Sequence, residues 1–245
     1  MTPKELLQAG RLTEAVAALS AELRDNPSDI KRRVFLFELL SFAGDYERAE
    51  KHLRLLGEAG PQAEMAVLLY RGVLAAERAR QETFSKREYA LMGPREATAF
   101  TGMLNGQPFQ LLADADARIG PRLETFSAGS YLWLPFAHLA SIEIEPPRRL
   151  RDLLWIPAKV RTGPALQAME LGEVLIPALS PLSWKHPDDK VRLGRETVWE
   201  EEEEDGEEVP YGQKMLLVDG EEVPLLEVRK LEIVVQPAAE SAQPN

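Results

Sequence analysis

The same six-residue pattern occurs twice in this chain, 34 residues apart, and that spacing constrains the first third more than any other feature. Gly10-Arg11-Leu12-Thr13-Glu14-Ala15 aligns with Gly44-Asp45-Tyr46-Glu47-Arg48-Ala49, Leu19 with Leu53, and Pro27 with Pro61. A small residue, an apolar residue four positions later and a closing proline suit one helix of a packed pair. The small side chain lets a neighbouring helix approach, and residues four apart share a face. On this reading Ala49→Glu unfolds the repeat.

A 34-residue period with alanine, an apolar residue at the fourth following position and proline resembles the tetratricopeptide signature, with Leu in the Phe place. Ser28 to Pro61 is the complete copy. Thr2-Pro3-Lys4-Glu5 is a capping box with proline at the first helical position, and Gly10 ends that short helix. Thr13 is placed to cap a second helix through Ala15, Val16, Leu19 and Leu23, ending near Asn26-Pro27. Ser28 or Asp29 caps a third, whose Val34, Phe35, Leu36, Phe37, Leu39, Leu40 and Phe42 are apolar on almost every side, the mark of a helix between neighbours. Gly44 breaks it and Asp45 starts the partner. After Gly60-Pro61 a long helix runs toward Phe84, and with no second helix of its own it is expected to cap the stack.

Beyond the polar stretch from Ser85 to Thr98, broken by Met92-Gly93-Pro94, the periodicity turns from helical to alternating. Ala99 to Leu104 and Gln107 to Leu112 read as a hairpin on Asn105-Gly106, a turn that needs positive φ. Asp114-Ala115-Asp116 is expected to lead a short helix through Ile119, Leu123 and Phe126. Tyr131 to Leu134, Ser141 to Glu145, Ala158 to Arg161 and Val174 to Ile176 are strand candidates. A second hairpin turns at Asp219-Gly220, between Met215 to Val218 and Val223 to Val228, with Leu231 to Val235 a last strand candidate. The expected fold class is α+β: helical hairpins over residues 1–90, a mixed, mainly antiparallel α+β domain over 95–236, and a disordered tail over 237–245.

The net charge of −11 is concentrated. Residues 196–232 carry 14 acidic and 3 basic side chains, whereas residues 1–90 carry 14 of each. Such a balance offers no general field for phosphate backbones, so nucleic acid is not an expected partner. The run from Glu200 to Glu208 reads as a solvated loop, since adjacent carboxylates repel one another unless a geometry converges them on a cation. Without cysteine there is neither a disulfide framework nor a thiolate site. The start lacks the pattern of a signal peptide and no run reaches the length of a membrane span, so a cytoplasmic protein with no membrane partner is expected.

The sequence contains no phosphate loop, nucleophile elbow or dinucleotide fingerprint. His52, His138 and His186 are scattered, and His186-Pro187-Asp188-Asp189 reads as a turn that caps the residues after it. Asp114 and Asp116 could act as an acid and base pair if both faced one pocket, with His186 converging on them in a hydrolase or metal enzyme. The structural alternative is a polar network of Asp114, Asp116, Arg118, Arg151 and Asp152. That alternative is preferred, so no catalytic residue, metal or cofactor is assigned.

Several segments in order resemble one family. They are Gly106-Gln107-Pro108-Phe109, Ala113-Asp114-Ala115-Asp116-Ala117-Arg118-Ile119-Gly120-Pro121, Tyr131-Leu132-Trp133-Leu134-Pro135-Phe136, and Leu150-Arg151-Asp152-Leu153-Leu154-Trp155-Ile156-Pro157-Ala158. Ser183 to Asp189, Arg192 to Arg195, Gly10-Arg11-Leu12 and Arg33 to Leu40 fit as well, so the resemblance spans nearly the whole chain. They resemble the ImpE family, also called TagJ or SciE-type virulence proteins. The segment between Tyr70 and Gly102 departs from it, being short where many relatives carry additional helix.

The resemblance implies a cytoplasmic, non-enzymatic accessory component of the type VI secretion system. Members bind the N-terminal helix of the small contractile-sheath subunit, TssB, and influence how the sheath meets its disassembly ATPase, ClpV. Stacked hairpins offer a groove of the kind that receives an amphipathic helix, although a repeat adaptor for some other partner would share that feature. Candidate contacts on the helical half are Arg33, Phe37, Leu40, Tyr70 and Arg71, with core packing the preferred role of the apolar ones. On the other half they are Trp133, Pro135, Phe136 and Trp155.

Overall fold

The computed structural model describes residues 1–57, 60–89, 100–166, 170–202 and 206–235. The expected domain limits at 90 and 95, the Met92-Gly93-Pro94 break and the tail from 237 lie outside them.

Five helices come first: α1 (Pro3–Gln8), α2 (Leu12–Asp25), α3 (Ile30–Phe42), α4 (Tyr46–Gly57) and α5 (Pro61–Ser85). The capping box of α1 forms, with the Thr2 amide donating to Glu5 at 2.8 Å and Thr2 Oγ1 accepting from the Glu5 amide at 3.3 Å. Ala15 and Ala49, the small residues of the repeat, are both fully buried. Asp29 caps α3 through the Arg32 amide at 3.0 Å. Thr13 does not cap α2. Its amide and hydroxyl instead donate to the carboxylate of Asp189, at 2.8 and 3.0 Å, so a residue 176 positions away supplies the missing acceptor.

Among the described residues thirteen strands follow: β1 (Phe100–Leu104), β2 (Gln107–Phe109), β3 (Leu112–Asp114), β4 (Arg122–Ser127), β5 (Ser130–Pro135), β6 (Leu139–Ile144), β7 (Trp155–Thr162), β8 (Glu170–Pro177), β9 (Val198–Glu201), β10 (Glu208–Tyr211), β11 (Met215–Val218), β12 (Glu221–Pro224) and β13 (Lys230–Val235). A short helix, α6 (Asp189–Arg192), lies between β8 and β9, capped by Asp188. An eight-stranded antiparallel sheet runs β2-β1-β13-β6-β7-β8-β4-β5; β12-β11-β3 and β10-β9 form smaller sheets. The architecture is therefore tetratricopeptide-like helices followed by a mainly antiparallel sheet domain, as the periodicity indicates.

Both hairpin turns adopt the expected backbone, with φ of 49° and 86° at Asn105-Gly106 and 51° and 91° at Asp219-Gly220. Two expectations fail here. Ile119, Leu123 and Phe126 do not share a helix: one turn at Asp116 ends at Gly120 (φ 66°), and β4 begins two residues later. Arg122, Glu124 and Thr125 are as buried as Leu123 and Phe126, so polar side chains there did not mark a solvent face. The strand expected over Val223 to Val228 stops at Pro224 and continues as a 3₁₀ turn. Of the acidic run, residues 203–205 lie outside the described residues; at its two ends Glu201 and Glu208 are exposed and pair across the β9–β10 ladder, and Glu202 meets Arg87 at 2.5 Å and Arg118 at 2.8 Å.

The helices and the sheet share a core. Leu36, Leu39, Leu40 and Phe42 of α3 belong to one cluster with Phe126, Leu154, Trp155, Leu179 and Leu193. Trp184 packs so closely on Gly44 that an added Cβ would lie 2.4 Å from its ring. Arg195 donates to the carbonyls of Leu7 and Gln8 at 2.6 Å each, satisfying the open end of α1.

Candidate functional site

Two arrangements of polar groups organise the surface and the junction. At the junction, α5 supplies Glu77, Arg80 and Gln81 on successive turns of one buried face. Arg80 forks onto Glu124 of β4, at 2.8 Å through Nε and 3.0 Å through Nη2, and Nη2 also donates to the Leu179 carbonyl at 2.9 Å. Glu124 accepts from Lys214 at 2.7 Å and from the Tyr131 hydroxyl, and Lys214 reaches Asp114 at 2.5 Å. Glu77 accepts from the Trp155 indole at 2.7 Å and from Gln81 at 2.5 Å. Burial alone would raise the Glu124 carboxyl, but Arg80 and Lys214 outweigh it and hold it far below the carboxylate range. Burial raises Asp114 to about 7 against the pull of Lys214, with Glu124 and Asp116 adding to the rise.

The five residues expected to form one polar network divide between two places. Asp114 belongs to the junction cluster. Asp116 is held by Arg118, whose Nη2 lies 2.7 Å away. Asp152 is remote from these partners: it accepts from the amides of Arg148 and Arg149 at 2.9 Å each. Arg151 stands 3.7 Å from Glu38 and 4.9 Å above the Tyr70 ring. His186 bonds to Glu200 at 3.2 Å and accepts from the Asp188 amide. Asp114, Asp116 and His186 thus each have different charged partners. Among the described residues no group of three or more His, Asp or Glu side chains could hold a metal ion.

The residues considered as partner contacts fare unequally. Phe37, Leu40, Phe136 and Trp155 are at most 2% exposed; each fills a core and has no surface to offer. Tyr70 is half-buried, its ring 5.8 Å from Phe37 and 6.4 Å from Trp155. Trp133 donates to the Tyr131 hydroxyl and lies under Arg122, 4.2 Å from its ring centre, while Pro135 closes the same strand half-buried. Arg33 is tied to the Pro27 carbonyl and to His52 at 3.4 Å. Arg71 is well exposed, 3.8 Å from Glu50.

A concavity lies between α1, α2 and α3. It offers about 640 Å³ of open space, with the half-buried Val34 and Phe35 as its apolar wall and the buried Pro3 and Leu19 behind them. Lys4, Lys31, Arg32, Glu22 and Asp29 form a rim of both signs, Arg32 pairing with Glu22 at 2.9 Å and Asp29 at 2.5 Å. On the floor, Glu38 is only 8% exposed; burial raises its carboxyl to about 7 against Arg151, with Asp152 adding to the rise. Sequence reading missed this groove because α3 is apolar all round, so periodicity does not say which apolar residues face it. Glu38, a lone carboxylate inside that apolar run, was the available signal. An apolar trough with a charged rim is suited to the apolar face of an amphipathic helix.

Comparison with known proteins covers both halves. The model of the ImpE protein family matches residues 106–232, and a tetratricopeptide repeat model matches residues 6–71. The chain is 34% identical over 266 aligned positions to the type VI secretion system accessory component TagJ of Pseudomonas aeruginosa, covering 95% of this chain and 91% of that protein. Its fold matches an X-ray crystal structure of a Vibrio parahaemolyticus protein with a TM-score of 0.82 at 23% identity, covering 96% and 98% of the two chains. No helix among the described residues is long and apolar enough to cross a membrane.

Proposed function

The chain belongs to the ImpE family, and from that premise we propose that it is an accessory adaptor of a type VI secretion system that receives the N-terminal helix of the small sheath subunit TssB in the α1–α3 groove. The observation that carries the site is the groove itself: about 640 Å³ of open space with an apolar wall, a rim of both signs and a buried carboxylate on its floor. An amphipathic helix laid there places apolar side chains against the half-buried Val34 and Phe35 and a basic side chain toward Glu38. The relative named TagJ supports the secretion-system context.

Occupying the TssB helix gives such an adaptor influence over sheath assembly, or over disassembly by ClpV, through access to that helix. The test is fluorescence anisotropy of a labelled TssB N-terminal peptide titrated with the full chain and with Val34→Glu. Saturable binding weakened at least about tenfold by the substitution is expected, because a desolvated charge replaces an apolar contact. Equal binding by a variant of unchanged circular dichroism moves the helix off this groove; no binding by either overturns the adaptor reading.

A further inference from the structure

A helix that ends a repeat stack needs a polar outer face, and α5 does not have one. Ala63, Val67 and Tyr70 turn toward the rest of the protein, while Met65, Leu68 and Leu69 stand on the opposite side at 71%, 67% and 58% exposure. Their spacing is that of one helical face. Farther along the same face, Gly72 lies against Gly129 of the β4–β5 turn, 3.1 Å from the position a Cβ would take, so the sheet half covers the helix from there on. The open part, from Pro61 to Arg71, is about three turns long, and among the described residues no second helix completes its hairpin.

The flank of this stripe identifies what fits it. Glu64 and Arg71 are seven residues apart, two turns along the helix, and lie on the same side of the stripe. When two copies of one helix pack antiparallel about a twofold axis, residues on the same flank face each other, and a twofold between Val67 and Leu68 brings Glu64 of each copy level with Arg71 of the other. The same axis sets Leu68 against Leu68 and Met65 near Leu69. Arg71 is available: its side chain is 57% exposed and its internal partner, Glu50, is 3.8 Å away.

We propose that the exposed face of α5 pairs antiparallel with α5 of a second copy of this chain, each supplying the helix that the other's last hairpin lacks. Three apolar side chains and one ion pair per copy make a small contact of the transient class, below about 1,200 Å². The dimer therefore forms and dissociates with concentration. The surface lies apart from the α1–α3 groove, so the inference does not rest on the proposed helix-binding function.

Sedimentation velocity of the full chain over a wide concentration range tests it. The expected mass rises from that of the 27.4 kDa chain toward twice that value. Leu68→Glu, at a position already exposed, abolishes the rise without altering circular dichroism. Glu64→Arg and Arg71→Glu each weaken the dimer by about tenfold, since each reversal replaces two ion pairs per dimer with two like-charge contacts. The double reversal Glu64→Arg/Arg71→Glu restores it. A single monomeric species at every concentration, a dimer indifferent to Leu68→Glu, or a double reversal no better than the singles would each overturn the proposal, and the first would leave this face to a different partner.

Discussion

Replacing Arg80 with Met leaves a hydrocarbon of comparable reach in the junction but removes every charge-assisted bond that Arg80 makes. Glu124 loses two bonds of 2.8 and 3.0 Å, the Leu179 carbonyl loses one of 2.9 Å, and Glu77 loses a weaker one of 3.3 Å. Glu124 keeps Lys214 and Tyr131, and Glu77 keeps Trp155 and Gln81. The cluster then holds three carboxyls against one ammonium out of reach of water. Breaking a buried pair from one side costs roughly 3–5 kcal/mol, more than the same pair contributes over an apolar substitute. For a chain of this size that corresponds to a fall in Tm of about 6–20 °C. Urea unfolding followed by circular dichroism and by tryptophan fluorescence is the assay, because Trp155 and Trp133 sit at the junction. The double variant Arg80→Met/Glu124→Met is expected to recover part of the loss, which the two single variants and the double together measure as a coupling of about 2 kcal/mol or more. A single variant destabilised by less than about 1 kcal/mol, with additive behaviour in the double, would refute the account of what joins the two halves.

Gly44→Ala combines a left-handed backbone (φ 72°) with a Cβ 2.4 Å from the Trp184 ring, and a loss of about 2–4 kcal/mol is expected by urea unfolding. Asp189→Ala removes the acceptor that serves Thr13, so a loss of about 1 kcal/mol is expected at neutral pH. Glu38 has its folded-state pKa raised from 4.5 to about 7 by burial. The folded state therefore binds more protons than the unfolded state across that window, and stability falls as pH rises from about 4.5 to 7. Glu38→Gln, which cannot ionise, should flatten this part of the stability profile by about 1–3 kcal/mol, discounted for the residual solvent at the groove floor; an unchanged slope in unfolding series at pH 5 and pH 8 would contradict it.

Where local chemistry decided the structure, the sequence was a sufficient guide. The repeated Ala15 and Ala49 are buried because a helix crossing requires a small residue, and both Asx-Gly turns carry positive φ because a two-residue hairpin demands it. Legibility ended where distant residues satisfy one another. Arg80 and Glu124 are 44 residues apart, and Lys214 and Asp114 are 100 apart, so no window contains both members of either pair. The segment expected to be a helix through Ile119, Leu123 and Phe126 is instead a turn and a strand whose Arg122 and Glu124 are buried, made tolerable by the carbonyl of Ile119 and by Arg80 and Lys214. The surfaces were hidden for a related reason. Phe37 and Leu40 have the composition of contact residues but are core, while Leu68 and Leu69 look like core in sequence and are exposed.

The trough between α1 and α3 is the proposed seat of the partner helix. Hydrogen exchange of the full chain, free and saturated with the TssB N-terminal peptide, addresses it without any substitution. Slowed exchange is predicted over residues 2–8 and 30–38, which carry the walls and floor of the groove, with the Trp133–Pro135 strand unchanged. Protection confined to that strand or to α5, with the groove exchanging at its free rate, would contradict the claim.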